Sequence, residues 1–200
     1  MEPSPTSIDD LPTPSCGIES AKMHRNASNM LQKTAKGAKL RPHVKTHKCP
    51  SIAAVQLGAP TGPICVSTLK EAASFSKAGF SDITYAVPLA KGSITQVVQL
   101  NETIENFHVL IDNIDTLNAL CTHSQNPPMS IFIKIDCGYH RAGVVPTSTQ
   151  LVSLAQTIDK HPNLVFAGLL THGGHSYDCS SKDGILAVSR QEEQSLKQAK

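Results

Sequence analysis

The sequence lacks the charge that a nucleic-acid-binding protein needs. Its 200 residues include 18 basic and 16 acidic side chains, which leaves a net charge of only +2, and no dense run of lysine and arginine follows one helical face. Nucleic acid is therefore not an expected partner. No stretch reaches the roughly 20 apolar residues of a membrane-spanning helix, and the first residues are acidic and proline-rich rather than basic and then apolar. We expect a cytoplasmic protein with no membrane partner.

Two common kinds of motif are also absent. The six cysteines include no C-x-x-C pair, and such pairs mark many zinc and redox sites. No predicted strand is followed by GxGxxG or GxxxxGK[ST], the usual nucleotide-binding turns. What the sequence does contain is 40% hydrophobic residues, which in a chain of this length is enough for one sizeable core.

Short β-rich runs and helix-like stretches alternate along the chain. Strand character is found in six runs, at 40–46, 63–68, 81–87, 107–113, 130–136 and 164–172. Helical spacing is found at 18–36, 49–58, 69–78, 90–101, 115–122 and 147–160, and again in the polar run that ends the chain. Apolar strands that alternate with helices predict an α/β fold with parallel pairing, either an open doubly wound sheet or a (β/α)8 barrel.

Reactive side chains cluster where the predicted strands end. In both folds the active site is built from loops at the carboxyl ends of the strands. This rule places eight side chains on one rim: His43, Lys45, His47, Asp136, Arg141, His172, His175 and Tyr177. Their convergence is the main indication of function that the residues give.

Two of the three motifs on this rim contain a cationic side chain. In RPHVKTHK (41–48), Lys45 leaves a buried strand among histidine and arginine neighbours, which favour the low pKa that an amine needs to attack an aldehyde. The alternative is a solvated basic loop. In DCGYHRAGV (136–144), Gly138 and Gly143 permit tight turns that aim Arg141 inward, where its planar fork suits a carboxylate or phenolate. The alternative is an ordinary loop with a surface arginine.

The third motif is THGGHSYDC (171–179). His172, His175 and Cys179 have spacings that could suit zinc, but no fourth ligand is evident. Tyr177 could act as an acid or a base. We favour a different use of His172, packing against a flat cofactor ring, and predict no metal site within the chain.

These motifs resemble a known family. RPHVKTHK is similar to the cofactor-lysine motif of the D-serine dehydratase and D-threonine aldolase group, relatives of the alanine racemase amino-terminal barrel among the pyridoxal-phosphate enzymes of the third fold type. STLKEAASFSKAGFSDITYAVPL resembles the family's second helix and third strand, DCGYHRAGV its arginine loop, and THGGHSY the end of its sixth strand. Alanine racemases place a tyrosine just after the lysine, whereas Thr46, His47 and Lys48 stand here, so racemization is less favoured.

The resemblance implies a role for each matching residue. Lys45 would hold pyridoxal 5'-phosphate as a Schiff base, His172 would pack beside its ring, and Arg141 would lie at the edge shared by substrate and cofactor. The remaining residues would line the pocket: His43, His47, His175 and Tyr177. The implied reaction converts D-serine into pyruvate and ammonia, by removal of the α-proton and loss of the β-hydroxyl group. D-threonine aldolase is the nearest alternative, and a non-catalytic or regulatory cofactor-binding fragment is a second.

The same resemblance predicts how the chain is organised. We expect an amino-terminal segment over 1–17 and, over 18–200, an incomplete TIM-type (β/α)8 barrel of the alanine racemase N-terminal type, with about six of eight strands. The sequence is expected to stop before the loops that hold the cofactor phosphate and before the carboxy-terminal β-domain. In the eukaryotic relatives that domain supplies histidine and cysteine ligands for zinc, so zinc is expected only in a full-length protein, which would be a homodimer.

Overall fold

The strands form one parallel sheet in the order in which they occur in the sequence. The computed structural model describes residues 7–34, 37–123 and 126–200. Within these ranges, five strands pair in the order β1-β2-β3-β4-β5: β1 (Ile64–Val66), β2 (Asp82–Pro88), β3 (Asn106–Ile111), β4 (Met129–Lys134) and β5 (Leu164–Leu170). A doubly wound sheet requires a reversal of strand order. The sequential order is instead that of a (β/α)8 barrel, so the open doubly wound alternative is wrong.

The helices begin soon after the strands because polar side chains cap them there. Within the described ranges the α-helices are α1 (Ser20–Thr34), α2 (Pro50–Leu57), α3 (Leu69–Lys77), α4 (Ile94–Thr103), α5 (Ile114–Cys121), α6 (Thr149–Lys160) and α7 (Lys182–Gln198). Thr68 and Asn113, each two residues beyond a strand, accept a backbone N–H from the first turns of α3 and α5. Ser148 and Ser181 cap α6 and α7 in the same way. These side chains satisfy donors that the helix itself leaves unpaired.

The predicted first strand, 40–46, is a single bridge instead. His43 pairs with Cys65 in parallel, through a 2.8 Å hydrogen bond from the Cys65 N–H to the Pro42 carbonyl. Pairing stops there because Pro42 has no N–H to donate and because a short 3-10 helix begins at Val44. The expected count of about six strands is thus met by five strands and this bridge.

The two faces of the sheet have different chemistry. One face is apolar: Ile83, Val109, Ile133 and their neighbours are fully buried and join the core that also contains Leu117 and Leu154 of the helices. Successive strand residues point to opposite sides, so the intervening residues lie on the other face, where polar side chains recur: Asp82, Thr84, His108, Ser130 and Lys134. That inner face positions the candidate site.

The ends of the predicted segments agree with the structure to within a few residues. The expected helix 18–36 is observed as α1, and residues 35 and 36 lie outside the described ranges. Of the expected amino-terminal segment, residues 1–6 also lie outside them. Among the described residues, no helix is both long and apolar enough to cross a bilayer.

Candidate active site

A cavity opens at the carboxyl ends of the strands. It has a volume of about 380 Å³, within the roughly 300–1,000 Å³ of small-molecule sites. Four side chains that the sequence predicted for this rim line it together: His43, Lys45, Arg141 and His172. A larger cavity of about 770 Å³ lies between α6, β5 and α7, but its wall is mainly apolar, and among the described residues that line it only Lys200 has a titratable side chain. The smaller cavity is therefore the candidate active site.

The short 3-10 helix Val44–Thr46 presents Lys45 to this cavity. Val44 is fully buried and anchors the turn, whereas Lys45 is exposed. His43 caps the turn, because its Nδ1 accepts the backbone N–H of Lys45 at 3.4 Å. Burial lowers the pKa of His43, and the positive charge of Lys45 lowers it further. His43 is therefore neutral at pH 7 and can accept this hydrogen bond.

The loop after β4 holds Arg141 at the cavity wall. Asp136 accepts the backbone N–H groups of Gly138 and His140, both at 3.0 Å. Gly138 has φ of 98° and Gly143 has φ of 110°, in the left-handed region that favours glycine. The Arg141 guanidinium carbon lies 5.1 Å from the centroid of the Tyr139 ring, a cation–π distance. The expected glycine turns are thus present, and the arginine lines the cavity.

His172 follows β5 and sits among aromatic rings. Its ring centroid is 6.5 Å from that of Tyr139 and 5.8 Å from that of Tyr177. Burial lowers the pKa of His172, and the nearby cations, Arg141 first, lower it further. The imidazole is therefore uncharged at pH 7 and offers a flat, neutral surface to the cavity.

Three predicted pocket residues lie outside the cavity lining. His47 is turned toward α2, where its Nε2 is 3.0 Å from Oε1 of Gln56. His175 stacks on Tyr139 with ring centroids 5.6 Å apart. Tyr177 leaves 74% of its surface exposed and contacts His172 at the edge of the site.

The sequence reasoning missed Lys134. This lysine is the last residue of β4, is only 6% exposed, and lines the cavity. Burial lowers its pKa, and its side chain forms no hydrogen bond or salt bridge with the described residues. A signal was present, because a lysine inside the apolar run SIFIKID (130–136) breaks a pattern that otherwise predicts a buried strand. Ser67 and Thr171 also line the cavity and were not predicted.

The lining fits pyridoxal phosphate. The cofactor requires an amine for its aldehyde, a flat surface beside its ring and positive charge for its phosphate and phenolate. Lys45 would provide the amine, His172 the flat surface, and Arg141 and Lys134 the charge, since all four line the cavity. Among the described residues the Lys134 side chain has no ion pair, so its positive charge is available to an anionic group in the cavity. No group of histidine, cysteine and carboxylate side chains that could hold a metal ion occurs in the described part of the chain.

Comparison with known proteins shows the family of this chain. Residues 18–199 match the family model described as alanine racemase, N-terminal domain. The chain is 35% identical to a D-serine dehydratase of Dictyostelium discoideum, over 92% of this chain and 50% of that protein. It superposes on D-threo-3-hydroxyaspartate dehydratase from Delftia sp. HT23 with a TM-score of 0.87 and 35% identity, over 95% of this chain and 51% of the other.

D-threonine aldolase from Filomicrobium marinum is also similar. The TM-score is 0.84 at 26% identity, and the match covers 96% of this chain and 53% of the aldolase. In each case, then, the chain spans about half the length of the relative that it matches.

Proposed function

Because this chain belongs to the alanine racemase N-terminal domain family, we propose that it is a pyridoxal-phosphate-dependent lyase that converts D-serine into pyruvate and ammonia. The observation that carries the proposal is the convergence of Lys45, Arg141 and His172 on one cavity. The similarity to D-serine and hydroxyaspartate dehydratases supports the same reaction class. Because the chain spans about half the length of these relatives, the proposal concerns the part of such an enzyme that corresponds to this chain and contains Lys45.

Lys45 has the central role in the proposed reaction. When bound, pyridoxal phosphate supplies an aldehyde for attachment and a ring that withdraws electrons from the α-carbon. The Nζ of Lys45 holds the cofactor in the cavity. It also serves as the base that removes the α-proton of the substrate. Its place on a capped turn, with Val44 buried behind it, keeps that amine facing the cavity.

The neighbouring side chains bind and orient. Arg141 is held against Tyr139, so its guanidinium can receive a carboxylate or the cofactor phenolate without a large loss of side-chain freedom. His172 packs beside the ring, and its lowered pKa avoids an additional positive charge there. Lys134 contributes positive charge for the anionic groups of cofactor and substrate from the floor of the cavity.

D-threonine aldolase activity is the second candidate. The structural similarity to a D-threonine aldolase favours it, and the same lysine site would serve a reaction that breaks a carbon–carbon bond. The two activities differ in their products. D-serine gives pyruvate by elimination, whereas D-threonine gives glycine and acetaldehyde by aldol cleavage.

The first test is covalent trapping of the cofactor. The 200-residue protein is mixed with pyridoxal phosphate, reduced with borohydride and digested, and the added mass is located by peptide sequencing. We expect the adduct mainly on Lys45, and its loss in Lys45→Ala. Lys134 is the internal control, since it lines the same cavity. An adduct spread over surface lysines, or placed chiefly on Lys134, would overturn the assignment.

Product assays with D-serine and D-threonine follow. Pyruvate from D-serine supports the dehydratase proposal, and glycine from D-threonine supports the aldolase. Trapping on Lys45 without either product would instead support the third reading of the sequence, a non-catalytic cofactor-binding fragment.

A further inference from the structure

One face of α7 reaches the candidate active site from behind. Val188, Gln191, Glu192 and Ser195 have the spacing of a single helical face, and Val188 and Ser195 are buried. Gln191 binds His175 through its Oε1 at 3.3 Å from the ring Nε2. Glu192 lies beside it on the same face and is half-buried, and its carboxylate reaches the end of β5 at Thr171.

The Glu192 carboxylate contacts the walls of the cavity. Its Oε1 accepts the hydroxyl of Thr171 at 2.8 Å and lies 3.9 Å from the Sγ of Cys137. Thr171 itself lines the cavity, between β5 and His172. Gly173 permits this approach, because a Cβ there would lie 2.6 Å from the Glu192 Cδ, closer than side-chain atoms tolerate.

The charges around the cavity are mostly positive. His172 is influenced by three cations, Arg141, Lys134 and Lys45, and by one carboxylate, that of Glu192. The charge of Arg141 lowers the pKa of Lys134, whereas Glu192, Asp136 and Cys137 raise it. The Asp136 carboxylate is already bound to the loop N–H groups and the His140 ring, whereas the Glu192 carboxylate is bound to the cavity wall.

We propose that Glu192 is a positioning residue of the active site, which fixes the end of β5 through Thr171 and supplies the negative charge that balances the cations of the cavity. As a role in catalysis, this inference rests on the proposed function. As an electrostatic role, it can be measured in the protein alone.

The proposal has a defined electrostatic consequence. Glu192 raises the pKa of His172 and of Lys134, against the stronger effects of burial and of neighbouring cations. Loss of its charge therefore lowers both pKa values further. Loss of the hydrogen bond to Thr171, with the charge retained, affects the position of the strand end but leaves most of the electrostatic effect.

The chain offers a matched control for this test. Glu193 follows Glu192 directly, but its side chain is 65% exposed and pairs with Lys197 at 2.6 Å. Glu192→Gln removes the charge near the cavity and retains an oxygen that can accept from Thr171. Glu193→Gln removes one charge from the same helix away from the cavity.

The experiment is a pH titration of His172 by NMR in protein with labelled histidine, assigned with His172→Asn. We expect Glu192→Gln to shift the His172 titration to lower pH, Glu193→Gln to leave it unchanged, and Thr171→Val to shift it less than Glu192→Gln does. An unchanged or raised His172 pKa in Glu192→Gln, or an equal shift in Glu193→Gln, would overturn the proposal. Gross unfolding is detected by the other histidine signals.

Trapping on Lys45 in the same variants separates the two proposals. If His172 shifts as expected but the unaltered protein does not label Lys45, the electrostatic role of Glu192 stands and the proposed function fails. If Lys45 is labelled but His172 does not respond to Glu192→Gln, the proposed function stands and the role of Glu192 is wrong.

Discussion

Both ends of the inner face of the sheet contain charged side chains, but the two ends differ in whether those side chains are paired. At the amino end, the Asp82 carboxylate accepts hydrogen bonds from both terminal nitrogens of the Arg41 guanidinium, and its Oδ1 lies 3.2 Å from His108 Nε2. His108 Nδ1 in turn lies 2.7 Å from the Ser130 hydroxyl. At the carboxyl end, Lys134 has no such partner among the described residues. The paired side chains at the amino end stabilise the fold, whereas Lys134 at the carboxyl end lines the cavity, where a small molecule would bind.

The hydrogen bonds at the amino end also fix the state of His108. Burial lowers its pKa, as does the charge of Arg41, so the ring is neutral at pH 7. The neutral ring donates from Nε2 to the Asp82 carboxylate and accepts the Ser130 hydroxyl at Nδ1. The three strands β2, β3 and β4 are thereby joined through side chains as well as through the backbone.

The largest expected effect is at the amino end. Asp82→Ala leaves Arg41 and His108 without their shared acceptor, and we expect the free energy of unfolding to fall by about 2–3 kcal/mol. Urea denaturation measures it. Lys45→Ala, at an exposed position of the other end, is the control and should change stability by less than about 0.5 kcal/mol. Equal losses of unfolding free energy in the two variants would contradict the proposed difference between the two ends.

A change of the opposite sign is expected for Lys134. Lys134→Met keeps most of the side chain and removes a largely buried amine that has no hydrogen-bond partner among the described residues, so stability should rise by about 1–2 kcal/mol at pH 7. The pKa of Lys134 is lowered in the folded protein from 10.5, so the unfolded chain binds the proton more readily. The gain in stability should therefore shrink as the pH rises toward 10.5. If no gain is measured at pH 7, the Lys134 amine already has a stabilising partner in the folded protein.

Two hydroxyl groups on the inner face give a smaller, paired test. Ser130→Ala removes the donor to His108 and should cost about 1 kcal/mol. The hydroxyl of Thr84 is fully buried and has no hydrogen-bond partner among the described residues, so Thr84→Val should be neutral or stabilising by up to about 1 kcal/mol. Thermal or urea unfolding of both variants decides between these signs.

The smallest effect is on the pH dependence of stability. The pKa values of His43, His108 and His172 are all lowered in the folded protein, so stability should fall as the pH drops below 6.5, where the unfolded chain takes up protons first. His108→Gln should remove only the part of this pH dependence that comes from His108 at the amino end of the inner face. Unfolding at pH 7.5 and 5.5 measures the slope, and an unchanged slope would mean that His43 and His172 account for all of it.

Much of the fold followed from local patterns. Alternation of apolar runs such as SIFIKID with helical stretches predicted the strands and helices, because the period of side-chain direction is a property of each segment. The first strand was overestimated, since Pro42 limits pairing in a way that composition alone did not show. The choice between an open sheet and a barrel winding required the observed strand order.

Only part of the candidate site could be predicted from the sequence. The sequence by itself determined that Lys45, Arg141 and His172 would follow strands, and that strands in this fold bring their ends together. The tertiary structure decided that His47 turns toward Gln56 and that Lys134 faces the cavity. It also brought Glu192, 21 residues beyond Thr171, to the cavity wall. The physical reason is that strand ends are set by local periodicity, whereas the partner of a side chain depends on which distant element packs against it.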